Sequence, residues 1–173
     1  TMVSLTNTLL SRFGSKVVAP SLDLLMNNGM MWFDPRPGQP NSIAAGVKPL
    51  ANMCPIIASK NGQPHIALGA AGGRQIMPSV AQILSYIDVF GLSPEEAFHA
   101  PRIDASGVKL RVSERAQPDV AARLSEEFPV EIIADTLYPV NFSIPSVVMH
   151  EDGFNIGMAH PYHPWAAVRT EAA

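Results

Sequence analysis

The run Leu68-Gly69-Ala70-Ala71-Gly72-Gly73, leading straight into Arg74–Phe90, constrains this chain more than any other stretch. Pro64 to Gly69 is a short apolar run of strand character. Beyond the glycines, Ile76, Val80, Ile83, Leu84, Ile87 and Phe90 recur at helical spacing, and Gly91 suits the helix end. The expected unit is a strand, a glycine turn and a long helix. Glycine lets the backbone approach another group closely, and a helix N-terminus presents unpaired N–H donors. Such a turn serves a phosphate cradle, an oxyanion site or plain tight packing of helix on strand. The spacing matches neither a dinucleotide fingerprint nor a P-loop, and no Lys-Ser/Thr follows, which argues against a nucleotide.

The surrounding elements follow from local chemistry. Asn61-Gly62 between the apolar runs Cys54–Ser59 and Pro64–Gly69 signals a hairpin. Ser93-Pro94-Glu95-Glu96 opens a second helix: serine caps, proline suits the first helical position, and glutamates favour the positive helix end. Asp119–Phe128 is amphipathic, and Leu110–Val112, Val130–Ile133, Ser146–His150 and Phe154–Met158 read as strands. Met2 to Leu9 alternates like a strand, with Thr6 and Thr8 on one side, while prolines at 35, 37 and 40 make a loop. Helices come in blocks rather than after every strand, which favours α+β layers over a doubly wound parallel sheet. With no internal repeat, residues 1–173 are expected to form a single domain.

Charge narrows the partners. A net charge of -3 leaves no electrostatic footprint for nucleic acid or an anionic membrane surface, and no apolar run is long enough to span a bilayer. Asp23 and Asp34 are the only acidic residues before Ile83, so the first half reads as buried scaffold and cleft, and the second as solvated helices and edges. Cys54 is the single cysteine and reads as a small core residue; the compartment stays open. His160-Pro161-Tyr162-His163-Pro164 clusters two histidines, yet no acidic or thiol partner stands at a metal-like spacing, so no metal or other cofactor is expected.

An ordered set of segments then carries a family resemblance: Val3-Ser4-Leu5-Thr6-Asn7-Thr8-Leu9, Phe13-Gly14-Ser15, Leu25-Met26-Asn27-Asn28-Gly29-Met30, Phe33, Pro37-Gly38, Lys48-Pro49-Leu50, Met53-Cys54-Pro55, Leu68–Gly73 and Ala100-Pro101-Arg102. In that order and spacing the chain resembles the small subunit of gamma-glutamyltranspeptidases. The resemblance implies an N-terminal-nucleophile hydrolase fold, a four-layer αββα sandwich to which a large subunit from the same precursor contributes. It implies self-cleavage, a threonine nucleophile whose own α-amine is the base, and an acyl-enzyme formed from a small-molecule amide. The register places that nucleophile upstream of Thr1. Thr8 matches the threonine that hydrogen-bonds the nucleophile, and Gly72 and Gly73 match the oxyanion pair.

The specificity positions depart from the family pattern. Trp32 stands where an aspartate binds the substrate α-amine, Ala51-Asn52 where a serine pair binds the α-carboxylate, and Leu10 where an asparagine lies on the first strand. His160-Pro161-Tyr162 replaces an Asp-Pro-Arg. The expected substrate is therefore not an ordinary gamma-glutamyl compound but a bulkier or less polar acyl amide, because a charged head group would lose its hydration without repayment. The alternative is a non-catalytic family member that kept the fold as a binding or structural protein.

Overall fold

After a small pair of strands, β1 (Val18–Ala19) and β2 (Leu24–Leu25), Asn61 and Gly62 both take left-handed backbone, φ 52° and 76°, and so close the hairpin of β3 (Ile56–Lys60) and β4 (Gln63–Ala71). The computed structural model describes residues 1–137 and 140–169. The chain divides into two compact units, Asn7–Asn52, and Thr1–Thr6 with Met53–Ala173.

In the larger unit, β3 and β4 join β8 (Ile144–Glu151) and β9 (Phe154–Ala159) in an antiparallel sheet of order β3-β4-β8-β9. A second left-handed pair, Asp152 and Gly153, turns β8 into β9. One face of this sheet offers Ile66, Leu68, Val147 and Met149 to α1 (Ile76–Asp88), which answers with Ile76, Val80, Ile83 and Ile87. α2 (Pro94–His99) adds Ala97 and Phe98 to the same core. Burying side chains of this size stabilises by about 1.5–3 kcal/mol each, so this layer pair holds the unit together. The Ser93 capping box is formed, with the Ser93 hydroxyl accepting from the Glu96 N–H at 3.2 Å and Glu96 accepting from the Ser93 N–H at 2.9 Å.

A second sheet has the order β5-β6-β7, from Ile103–Asp104, Leu110–Ser113 and Val130–Ile133. β6 and β7 run parallel, joined through α3 (Pro118–Ser125). This parallel pairing was not expected from the sequence pattern, which placed the two strands without their partner. Gln82 of α1 holds β5 by a reciprocal pair, its amide donating to the Ile103 carbonyl at 2.7 Å and accepting from the Ile103 N–H at 2.8 Å.

Residues 1–9 differ from the expected strand. Even-numbered side chains from Met2 to Thr6 are half-buried while Val3 and Leu5 stand 72% and 83% exposed, so the alternation is there but no ladder is. Ser4 donates its hydroxyl to the Leu68 carbonyl at 2.9 Å, beside Gly69, where a side chain would crowd Ser4 at 3.4 Å. A side-chain bond of this kind leaves the segment extended without making it a sheet strand. The fold class is α+β, as the sequence implies.

Candidate active site

β4 leaves its ladder after Ala71, which still pairs with Ile144 of β8. Gly72 takes φ 140° and ψ 23°, Gly73 takes φ 64°, and a 3-10 turn, Gly73–Gln75, delivers the chain into α1. These angles admit glycine far more readily than other residues. Among the described residues no backbone hydrogen bond uses the N–H of Gly72 or of Gly73. The turn thus offers two adjacent donors at the start of a helix.

Its far side is tightly built. A Cβ on Gly72 would lie 2.8 Å from both Cα and Cβ of Ser143, so the two backbones meet where only hydrogen fits. Residues 141–143 are fixed from below. Gln75 donates to the Asn141 carbonyl at 2.7 Å, while Ser79 and Arg102 both donate to the Phe142 carbonyl, at 3.0 Å and 2.9 Å. Arg102 also donates to the Ser79 hydroxyl at 2.7 Å.

Arg102 is 2% exposed, and burial pulls its pKa down to about 10 against the pull of Asp135. Asp135 accepts from Arg115 at 2.5 Å and from the Ser113 hydroxyl at 2.7 Å, so one carboxylate faces two guanidinium groups. Arg115 also donates to the His99 carbonyl and lies over the Tyr162 ring at 5.6 Å. Tyr162 meets His160 edge-on at 5.7 Å between ring centroids. The His160-Pro161-Tyr162 stretch therefore packs against this charge cluster. None of Arg102, Asp135, Arg115 or Ser143 stood out in the sequence as part of a cluster. Their positions are spread from 102 to 143, and only the fold brings them together.

His160 is 4% exposed, and burial, then Arg102 and His163, lower its pKa from 6.5 to about 4. The folded state holds it neutral. Above pH 6.5 it is neutral folded or unfolded; as pH falls from 6.5 to about 4 the unfolded chain takes a proton that the folded chain refuses. Stability is lost across that window, by up to about 3 kcal/mol at about 1.36 kcal/mol per unit. In thermal unfolding followed from pH 7 to pH 4, His160→Gln should show the shallower fall, and parallel curves for the two proteins would refute the assignment.

The smaller unit holds the other expected positions. The Thr8 hydroxyl accepts from the Leu10 N–H at 3.0 Å, in a turn where Leu10 has φ 69°. Next to it, the Asn28 amide accepts from the Ser11 N–H at 3.0 Å and donates to the Ser11 hydroxyl at 2.6 Å, pinning the turn. Asn41 donates to the Trp32 carbonyl at 2.7 Å and accepts from the Leu50 N–H at 2.9 Å. One asparagine thereby ties Trp32 to the residue preceding Ala51-Asn52. Trp32 and Asn52 are partly buried and Ala51 is exposed. Among the described residues no group of three or more histidine, cysteine or acidic side chains is placed to hold a metal ion, and no helix is long and apolar enough to cross a membrane.

Comparison with known proteins gives this geometry a context. The gamma-glutamyltranspeptidase family model matches residues 1–161. The chain is 37% identical over 123 residues to an acylase ACY 1 proenzyme of Pseudomonas sp. (strain V22), covering 71% of this chain and 22% of that protein. It is 30% identical over 125 residues to a glutathione hydrolase proenzyme of Bacillus subtilis (strain 168), covering 72% of this chain and 21% of that protein. The chain thus spans about a fifth of the length of these relatives. Its fold matches that of the gamma-glutamyltranspeptidase from Pseudomonas nitroreducens complexed with L-DON, with a TM-score of 0.76 at 24% identity over 98% of this chain and 93% of the other.

Proposed function

This chain belongs to the gamma-glutamyltranspeptidase family, and on that premise we propose that it is the small-subunit portion, residues 1–173, of an amide hydrolase or acyltransferase that works through a threonine acyl-enzyme. The supporting observation is the Gly72–Gly73 turn, whose N–H groups have no backbone acceptor among the described residues. The threonine nucleophile lies upstream of Thr1 and is released by self-cleavage of a precursor that also yields the large subunit. The word proenzyme in the names of both relatives fits such a precursor.

In this reaction the threonine Oγ forms a bond to the amide carbonyl carbon as its proton passes to the α-amine. The carbonyl electron pair moves onto oxygen, and the N–H groups of Gly72 and Gly73 hold that oxyanion. Collapse expels the amine, which leaves with the proton, and an ester remains. Water or a second amine then takes the acyl group. Thr8 suits the role of tuning the nucleophile: its oxygen already accepts from Leu10, which leaves its proton free to donate.

The acyl group is bulkier or less polar than gamma-glutamyl. Trp32, Ala51-Asn52 and Leu10 supply no ionised partner for an α-amine or an α-carboxylate. With the full-length, self-processed enzyme, kcat/KM for a neutral acyl anilide is expected to exceed that for gamma-glutamyl anilide by about 10–100-fold, as unpaired polar groups dictate. Comparable values for the two would overturn the substrate reading. Intact mass and N-terminal sequencing of the full-length product test the activity itself. A new N-terminal threonine upstream of Thr1, about a dozen residues before Val3, supports it, a terminus at Thr1 would make Thr1 the nucleophile, and an uncleaved chain would favour a non-catalytic binding protein.

A further inference from the structure

The register between β4 and β8 continues past its last hydrogen-bonded pair. Ala70 faces Pro145 and Ala71 faces Ile144, so Gly72 and Ser143 come next, where the two strands part. At that point Ser143 has φ 66°, an unusual value for serine, and its side chain is 1% exposed. Its hydroxyl has no hydrogen-bond partner. A strained, buried and unsatisfied residue persists only where its surroundings over-determine it. The surroundings here are Gln75, Ser79 and Arg102, which hold the carbonyls of Asn141 and Phe142 from the 3-10 turn, from α1 and from the segment between α2 and β5. The clamp holds Ser143 against Gly72, where a Cβ would lie 2.8 Å from the Cα and Cβ of Ser143.

We propose that Ser143 is a positioning residue for the oxyanion turn: its Cα and Cβ, set by the clamp on residues 141–143, fix the backbone of Gly72 so that the N–H groups of Gly72 and Gly73 converge. This rests on the oxyanion role given above to that turn. Ser143 touches no reacting atom, and its hydroxyl is a passenger; the contact works through carbon. Glycine at this position would relieve the positive φ and remove an unsatisfied hydroxyl, so a purely structural role predicts an equal or more stable and fully active enzyme. A positioning role predicts the opposite sign for activity.

The experiment compares Ser143→Gly and Ser143→Ala in the full-length, self-processed enzyme, with Gly72→Ala as a reference. Readouts are kcat and KM on an acyl anilide, thermal unfolding, and affinity for a boronic-acid acyl mimic, which forms a tetrahedral adduct, against affinity for the product carboxylate. Ser143→Gly is expected to lower kcat and boronate affinity by about 10-fold in parallel, since sub-ångström misplacement of catalytic groups has effects of this order. KM, carboxylate affinity and thermal stability should hold. Ser143→Ala keeps the Cβ and is expected to restore most of the loss. Unchanged kcat in Ser143→Gly, with a loss in Gly72→Ala confined to the boronate, overturns the role of Ser143 and leaves the oxyanion turn standing. Equal loss in Ser143→Ala and Ser143→Gly overturns it as well, by making the hydroxyl the active part. Boronate and carboxylate affinities falling together in Gly72→Ala would remove the oxyanion reading itself.

Discussion

Gly72→Ala is expected to cut kcat by about 10²–10³-fold, the loss seen when an oxyanion donor is removed. The cause is mechanical. At φ 140° an alanine is strained wherever it points, and here its Cβ would stand 2.8 Å from the Ser143 backbone. Ser143 cannot retreat, because the carbonyl before it is held by Ser79 and Arg102. The turn must therefore yield, and with it the direction of its N–H groups. A ground-state contact would show in KM; a donor that acts on the developing oxyanion shows in kcat. Steady-state kinetics on the processed enzyme, with circular dichroism to establish folding, give the answer. A kcat within a few-fold of the parent would mean the turn is tight packing of helix on strand and nothing more.

The second large effect concerns stability. Asp135→Asn is expected to destabilise the fold by about 1.5–3 kcal/mol, because it removes the charge-assisted bond to Arg115 and the negative charge that favours the buried Arg102 guanidinium. Arg102 is 2% exposed and keeps its charge against the cost of burial with help from Asp135, while Arg115 opposes it. With the carboxylate gone, the unfavourable influence of Arg115 on Arg102 is no longer offset by Asp135. At about 2–4 °C per kcal/mol for a unit of this size, the thermal midpoint should fall by roughly 3–12 °C. Arg102→Met in the same background should recover part of the loss, since it removes the uncompensated charge and keeps much of the volume. Additive losses in the double variant would show that Asp135 and Arg102 do not share an electrostatic account, and the cluster would then be ordinary polar surface.

What was legible in the sequence was what short-range chemistry encodes. Asn61-Gly62 demanded a left-handed pair, Ser93 and Glu96 demanded a cap, and Ile76, Val80, Ile83 and Ile87 demanded one apolar helix face. Gly72 and Gly73 stood out because a strand followed by two glycines and a helix has few uses. The parallel pairing of β6 with β7 was not legible, because nothing in Leu110–Ser113 or Val130–Ile133 records its partner's direction. The Arg102–Asp135 cluster was hidden for a related reason. A charged residue destined for burial looks like any surface charge until an opposite charge arrives from a distant segment. His160 was weighed as a metal ligand on the strength of its neighbour His163; its burial beside cations makes it a neutral packing group. Ser143 gave no signal at all, since a serine with positive φ differs from other serines only in a turn that the sequence does not spell out.

Asn41 joins the segments around Trp32 and Leu50 within a unit, Asn7–Asn52, whose hydrogen bonds close on themselves. The glycine turn and its clamp belong wholly to the other unit. The hydrogen bonds that hold residues 141–143 draw on no residue of Asn7–Asn52. Under the proposed function such a division favours evolvability: a library confined to Leu10, Trp32, Ala51 and Asn52 changes none of the residues whose hydrogen bonds fix the glycine turn's neighbour.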